Sequence, residues 1–431
     1  MKFSIVVPAR NAANTIGATL ESCLYQDFED YEIIVHDNAS TDETRKIVES
    51  FKDSKIKLSS NRLPLYITDN WNVALGQASG EFIIFLGSDD AIRKSSLKKL
   101  ARILENEKVD SICWSQAIYT WPTFGVSDEA NRISIPPITS NGHLISIDAH
   151  REELLAGKLP TLPSVYYGCI SRGLIERCKH EGKFFDSRTP DLYSSILMSY
   201  FTESYWRLED CLTITGLSAT SSGTAQLSQA SNLEKIRSDL STLLQSSTIS
   251  KSPHVPQIDL ISAWVIDCIM LIQSRLGIEK HIFSISPQHI VKLIKEEILI
   301  SGGLNPEQQN ILQNWFSENA IDIDFDCSLN VSSSGRLLNS FPSNDSNVKI
   351  GQFYCLDTTQ FGIENVFDAS EFIDTVETVY TLLDLDHAEL VTRTNSYEAL
   401  LDELKMEVLS LRPIDIPHAT YFIGGLDNEN D

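Results

Sequence analysis

Ser88-Asp89-Asp90 sets two adjacent carboxylates directly after an almost wholly apolar run, residues 82–86. Adjacent acids in such a place can hold a hard divalent cation, Mg2+ or Mn2+, and through it a diphosphate. A solvated turn would use the same residues. Two more polar clusters follow apolar runs. Pro8, Ala9, Arg10 and Asn11 come after residues 3–7, and the segment His36-Asp37-Asn38-Ala39-Ser40-Thr41-Asp42 comes after residues 31–35. A carboxylate such as Asp37 can accept the imide N–H of a pyrimidine or an amino group of guanine, and it can equally close an Asx turn.

The surrounding pattern implies how these clusters are held. Apolar runs at 3–7, 31–35, 56–58, 81–86 and 111–114 alternate with helical patterns at 15–25, 43–51, 70–78 and 95–105. Ser40 and Glu43 have the spacing of a capping box, with Ser40 as N-cap. Short, nearly all-apolar strands alternating with helices predict a doubly wound α/β fold with a mostly parallel sheet. In such a sheet each loop that follows a strand opens at one edge, the edge where ligands bind. The three clusters therefore converge.

Composition narrows the function classes. The chain has 431 residues, with 35 Lys+Arg against 59 Asp+Glu and a net charge of −24. That balance disfavours non-specific binding of nucleic acid or of an anionic membrane. The eight cysteines are scattered without a C-x-x-C pair, as in a reducing compartment. The first residues enter a strand without signal-peptide features, and the longest apolar stretch, 260–272, is interrupted by Ser262 and Asp267 and too short to span a bilayer. The expectation is a cytoplasmic protein whose membrane contact is at most peripheral.

Residues 116–223 are rich in proline, glycine and aromatics, and suit a substrate-shaping region. Residues 224–345 read as a helical accessory region, and a Ser/Asn-rich stretch at 332–346 marks a boundary. Residues 346–431 read as a strand at 349–356, helices near 369–383 and 397–411, and a solvated acidic tail. The helical C-terminal half is a candidate surface for a protein partner.

Taken in order, Val7-Pro8-Ala9-Arg10-Asn11, Val35-His36-Asp37-Asn38-Ala39-Ser40-Thr41-Asp42-Glu43-Thr44, Asn72 with Ala78-Ser79-Gly80-Glu81-Phe82-Ile83, and Leu86-Gly87-Ser88-Asp89-Asp90 resemble glycosyltransferase family 2. The resemblance is specific over residues 1–115, weaker over 116–223 and absent beyond. It implies a GT-A fold, a nucleotide-diphosphate sugar donor (UDP, dTDP or GDP), Mg2+ or Mn2+, and transfer to a hydroxyl of a glycan or lipid-linked acceptor, with inversion. By the same resemblance Asp37 reads the base, and Pro8, Ala9, Arg10, Asn11, Asn72 and Ser88 line the donor. Asp89 is the metal ligand, and Asp90 either supports it from behind or orients the sugar.

The sequence departs from the family pattern at Gly87, where a first acid is usual, and at His36, where an acid is common. The catalytic base in this family is an acid of the second half, often after Glu. Here Asp191 is the candidate, preceded by Pro190, with Asp186 as runner-up. Asp191 could also be a helix cap. Tyr166-Tyr167-Gly168 and Gly216-Leu217-Ser218 are candidates for shaping the acceptor pocket. The alternative reading is a nucleotide-sugar-binding module without turnover, acting through its C-terminal surface.

Overall fold

The computed structural model describes residues 2–124, 130–136, 141–157, 161–222, 225, 234–277, 285–301, 304, 306–319, 354–358 and 363–382. The first strands are β1 (Phe3–Ala9), β2 (Tyr31–Asp37), β3 (Ile56–Ser60) and β4 (Phe82–Phe85), with α1 (Ile16–Leu24), α2 (Thr44–Ser50) and α3 (Ile67–Gln77) between them. They pair in the order β3-β2-β1-β4, all parallel. β1 shows why the fold is doubly wound. Phe3, Ile5 and Val7 enter one core with Ile16 and Leu20 of α1. Val6 enters the opposite core with Trp71 and Leu75 of α3. A strand flanked on both faces is apolar at nearly every position, as β4 is throughout and β1 is except at Ser4, whose hydroxyl is bonded to Glu32.

Beyond β4 the sheet becomes mixed. β5 (Ala91–Ile92), α4 (Ser96–Glu107), β6 (Ser111–Thr120), β7 (Arg132–Ile135) and β8 (Gly142–Ser146) follow in the chain. Next come α5 (Arg151–Leu155), β9 (Gly168–Ser171), α6 (Arg172–Cys178), α7 (Pro190–Met198) and the long β10 (Ser204–Leu217). β9 joins β4 to β6 with antiparallel pairing on both sides. β10 runs parallel to β6 and antiparallel to β5 and β8.

The helices α8 (Glu234–Gln245), α9 (Ile261–Leu276), α10 (Pro287–Ser301) and α11 (Pro306–Glu318) follow. α9, α10 and α11 share an apolar cluster that includes Ile266, Ile290, Ile294, Leu312 and Trp315. The chain then returns to the sheet. β11 (Tyr354–Asp357) pairs with β7, and α12 (Val366–Leu382) packs against α1. The expected features at 332–346, 349–353, 397–411 and 427–431 lie outside the described residues. No helix among the described residues is long and apolar enough to cross a membrane.

The capping box at Ser40 does not form. α2 begins at Thr44, and Asp42 rather than Ser40 bonds its backbone N–H, at 3.0 Å. Ser40 is drawn away because its Oγ accepts the Asn11 N–H across the site, at 2.9 Å.

Glu32 of β2 registers the parallel strands. Its carboxylate accepts Ser4 Oγ of β1 at 2.6 Å and Ser79 Oγ, just before β4, at 2.8 Å, and it pairs with Lys57 of β3. Burial pushes its carboxyl up, but Lys57, Ser4 and Ser79 together hold it well below the usual range. Glu32→Gln should cost about 1–3 kcal/mol at neutral pH, since it weakens charge-assisted bonds to a buried group. A carboxylate with a depressed folded pKa stabilises above its unfolded value, near 4.3, and loses that contribution as pH falls. Urea unfolding should therefore show the wild-type advantage at pH 7 shrinking steadily below about pH 4. A gap that does not vary with pH would refute the role of the charge.

Candidate active site

A cavity of about 610 Å³ opens at the carboxyl edge of the parallel strands. β1 supplies Pro8, Ala9, Arg10 and Asn11, β2 supplies Asn38, and β4 supplies Gly87, Ser88 and Asp89. Asp191 at the start of α7 lines the same cavity. Asp89 of the strand edge and Asp191 of the second half are thus brought to one space by segments about a hundred residues apart in sequence.

The rim loops are braced against each other. Asn11 and Ala39 both have left-handed backbone, with φ of 50° and 54°, a region costly for a residue with Cβ unless its surroundings enforce it. Cross-loop bonds do so. Thr41 N donates to Asn11 Oδ1 at 2.9 Å, and Arg10 Nη1 donates to the Asn38 carbonyl at 2.9 Å. A chain of amides continues inward, with Asn61 Nδ2 donating to both Asn38 Oδ1 and Asn70 Oδ1. Asn38 and Asn70 line the cavity. Sequence reasoning passed over these asparagines, and Asn38 stood inside a cluster already singled out.

Asp89 and Asp90 have different environments. Asp89 faces the cavity, and its Oδ2 accepts Ser218 Oγ at 2.6 Å. Burial, and then the charge of Asp90, raise its carboxyl above the ordinary value. Asp90 is 2 % exposed and does not line the cavity. Its Oδ2 accepts Gly87 N–H at 2.9 Å and the Tyr166 hydroxyl at 2.8 Å, and its Oδ1 accepts Gly216 N–H at 2.8 Å. Burial raises its carboxyl too, opposed by these three donors. Asp90 therefore holds the loop, and Asp89 is the acid presented by it.

Gly87 is explained by the same bonds. A Cβ there would lie 2.5 Å from the Tyr166 hydroxyl and 2.6 Å from Asp90 Oδ2. Tyr166 and Asp90 fill the space that a first acid would need. Gly216 is equally constrained, since a Cβ would fall 1.7 Å from the Asp89 carbonyl. Tyr166, Gly216 and Ser218, from the segments expected to shape the acceptor pocket, are the supports of the Asp89-Asp90 turn.

Three expected donor contacts are placed elsewhere. Asn72 does not line the cavity, because its amide bonds the backbone of Phe184 and Phe185 and braces the approach to α7. Asp90 is buried as described. Asp37 is 4 % exposed and absent from the cavity lining, and its Oδ1 accepts Ser40 N–H at 3.1 Å in an Asx-type turn. His36 is buried against Ser59 at 2.7 Å, with burial lowering its pKa.

Asp191 is half-buried in the first turn of α7, whose first residue is Pro190. Proline suits that position because its missing N–H has no helical partner. Burial raises the Asp191 carboxyl, partly opposed by first-turn backbone N–H groups. Asp186 does not line the cavity. It is 1 % exposed, ion-paired with Arg275, and accepts Ser250 N–H at 2.7 Å.

The remaining wall is of another character. Leu65, Ile67, Leu192, Ile261 and Trp264 face Ile236, Leu240 and Leu243 of α8, with Arg188 and Lys235 beside them. The three α8 residues recur at helical spacing and are half-buried, yet they belong to none of the apolar cores.

The Gly87 geometry makes a prediction. Gly87→Asp should lower the melting temperature and leave Mn2+-dependent binding of UDP no tighter than in the wild type, as read by thermal shift. Tighter binding in that variant would show that the Tyr166-Asp90 pair yields to a side chain there.

With this geometry in hand, similarity to known proteins can be placed. The family model described as Glycosyl transferase family 2 matches residues 4–148. Over 115 residues the chain is 39% identical to the poly(ribitol-phosphate) beta-N-acetylglucosaminyltransferase TarS of Staphylococcus aureus, a match covering 26% of this chain and 20% of that protein. Over 104 residues it is 40% identical to WfgD of Escherichia coli, a UDP-Glc:alpha-D-GlcNAc-diphosphoundecaprenol beta-1,3-glucosyltransferase, covering 24% of this chain and 41% of that one. The chain thus spans under half the length of either relative. Among solved structures, TarS 1–349 in complex with UDP-GlcNAc is similar with a TM-score of 0.48 and 19% identity, covering 74% of this chain and 80% of that one. Residues 4–148, which match the glycosyl transferase family 2 model, include the strands, helices and rim loops that build the Asp89 edge of the cavity.

Proposed function

We propose that the protein transfers a sugar from a nucleotide-diphosphate donor to a hydroxyl of a glycan or lipid-linked acceptor, with inversion. The observation that carries this reading is the presence of Asp89 and Asp191 in one cavity. A donor-edge acid suits a diphosphate complex, and a second acid with a raised pKa suits a general base. A binding module without turnover has no need of the second.

In this reading the donor lies along Pro8, Ala9, Arg10, Asn11, Asn38 and Ser88, with Asp37 at the base end, where its turn would have to admit the base. Asp191 takes the proton of the acceptor hydroxyl. The acceptor oxygen attacks the anomeric carbon from the face opposite the leaving group, and the nucleoside diphosphate departs with the electron pair of the broken C–O bond. Among the described residues no group of three His, Cys, Asp or Glu side chains could hold a metal by itself. Asp89, oriented by Ser218, would suit a Mg2+ or Mn2+ that arrives on a diphosphate, because such ions are commonly bound through one or two carboxylates plus substrate phosphates. When bound, that ion offsets the charge on the leaving diphosphate.

The apolar wall of α8 and α9 beside Asp191 supports a lipid-linked acceptor over a bare glycan. A cytoplasmic location, with the acceptor reached at a membrane surface, accords with that reading.

Thermal shift with UDP-, GDP- and dTDP-sugars plus Mn2+ identifies the nucleotide, since a ligand that binds the folded state raises the melting temperature by mass action. No stabilisation by any of them would refute the reading. Asp191→Asn should leave that shift intact and cut transfer by about 10²–10⁴-fold, the usual contribution of a positioned general base. Asp89→Ala should abolish the metal-dependent part of the shift. Since burial raises both carboxyls, each is protonated at higher pH than an ordinary aspartate. Transfer should therefore rise with pH across the acidic range in two parts, and Asp191→Asn should lose its own part and keep the part due to Asp89. An unchanged profile in the variant would move the base elsewhere.

A further inference from the structure

Arg93 is one of the most deeply buried side chains in the molecule, at 1 % exposure, and lies four residues past Asp89. Its guanidinium donates to Asp210 Oδ1 at 3.2 Å and to the Cys211 carbonyl at 2.8 Å, both on β10. It also donates to Asp374 Oδ1 at 2.8 Å and pairs with Glu377, both on α12. The backbone N–H of Lys94 donates to Asp374 Oδ2 at 3.2 Å, and Lys99 bridges Asp210 and Glu377 at 2.8 and 2.6 Å. A lone Arg–Asp pair inside a protein barely repays its desolvation, and a second and third carboxylate change that balance.

What this network fixes is the register of β5 on β10. Ile92 pairs with Thr213, and Ala91 with Ile214. The end of β10 and the residue after it shape the turn, with Gly216 N–H on Asp90 and Ser218 Oγ on Asp89. A slip of one residue would remove both bonds at once. Independent contacts seat α12 on the same domain. Tyr25, just past the end of α1, meets Phe367 edge-on with centroids 5.6 Å apart, and Val366, Ala369 and Ile373 join the apolar cluster of Tyr119 and Ile214.

We propose that α12 is a clasp that positions the Asp89-Asp90 turn through Arg93, with Asp374 and Glu377 as positioning residues. The C-terminal segment that returns to the sheet is then part of the donor site's support. The coupling to donor binding rests on the function proposed above; the coupling to the turn does not.

Two variants separate positioning from general stability. Asp374→Asn/Glu377→Gln removes the two partly exposed carboxylates and leaves Arg93 with Asp210. Phe367→Ala loosens α12 without touching the network. Hydrogen exchange of the ligand-free protein should show the amides of Gly87, Asp90 and Gly216 exchanging about tenfold faster in the charge variant, and near wild-type rates in the packing variant. UDP affinity in the presence of Mn2+ should fall by about tenfold in the charge variant alone. Equal effects of the two variants on these amides, or none, would overturn the proposal. Failure of the wild type to bind UDP would count against the nucleotide-sugar reading only, and the exchange rates would still decide the clasp.

Discussion

The buried carboxylate of Asp90 is the constraint on which the site depends. It gathers a loop amide, a tyrosine hydroxyl and a strand amide from three segments, residues 87, 166 and 216. A buried carboxylate is costly unless its lone pairs are met by donors. Here the donors are the pieces that must meet for the cavity to have its shape. Asp89 is then presented by a turn whose conformation is over-determined. Its own raised carboxyl follows from the same packing, since Asp90 is both the anchor of the turn and the neighbouring charge.

This arrangement accounts for the departure at Gly87. An acid there and the Tyr166-Asp90 bond are mutually exclusive in space. The loop therefore carries one cavity-facing acid and one structural acid. On the proposed reading, a cation at this loop would be shared between Asp89 and the substrate diphosphate.

Much of the parallel half of the fold was legible because apolar runs such as 82–86 leave few options, and the rim followed from strand direction alone. Helix phase was less legible. Asn70 and Trp71 line the cavity while Asn72, about 100° further round α3, faces the backbone of Phe184 and Phe185. Local spacing cannot tell which side of a helix meets the sheet when both neighbours are polar or aromatic. Ser40 misled for a related reason, since an N-cap signal competes with any nearby backbone donor, and Asn11 N–H won. The clasp was beyond reach of local patterns altogether, because Arg93 and Asp374 are separated by 281 positions.

Asp191 shows how a helix start and burial act on one carboxylate in opposite directions. Its place in the first turn gives the anion a favourable dipole and nearby N–H groups, worth a few tenths to about 1 kcal/mol at exposed sites. Burial works the other way, and the net shift of its carboxyl is upward. Burial therefore outweighs the helix at this position. The result is a carboxylate that stays oriented by the helix start while holding a proton more readily than one in water. Pro190 reinforces the first part of that balance without supplying a charge, which a glutamate there would do. A second anion beside Asp191 would raise its pKa further through repulsion, whereas proline fixes the backbone and adds no charge.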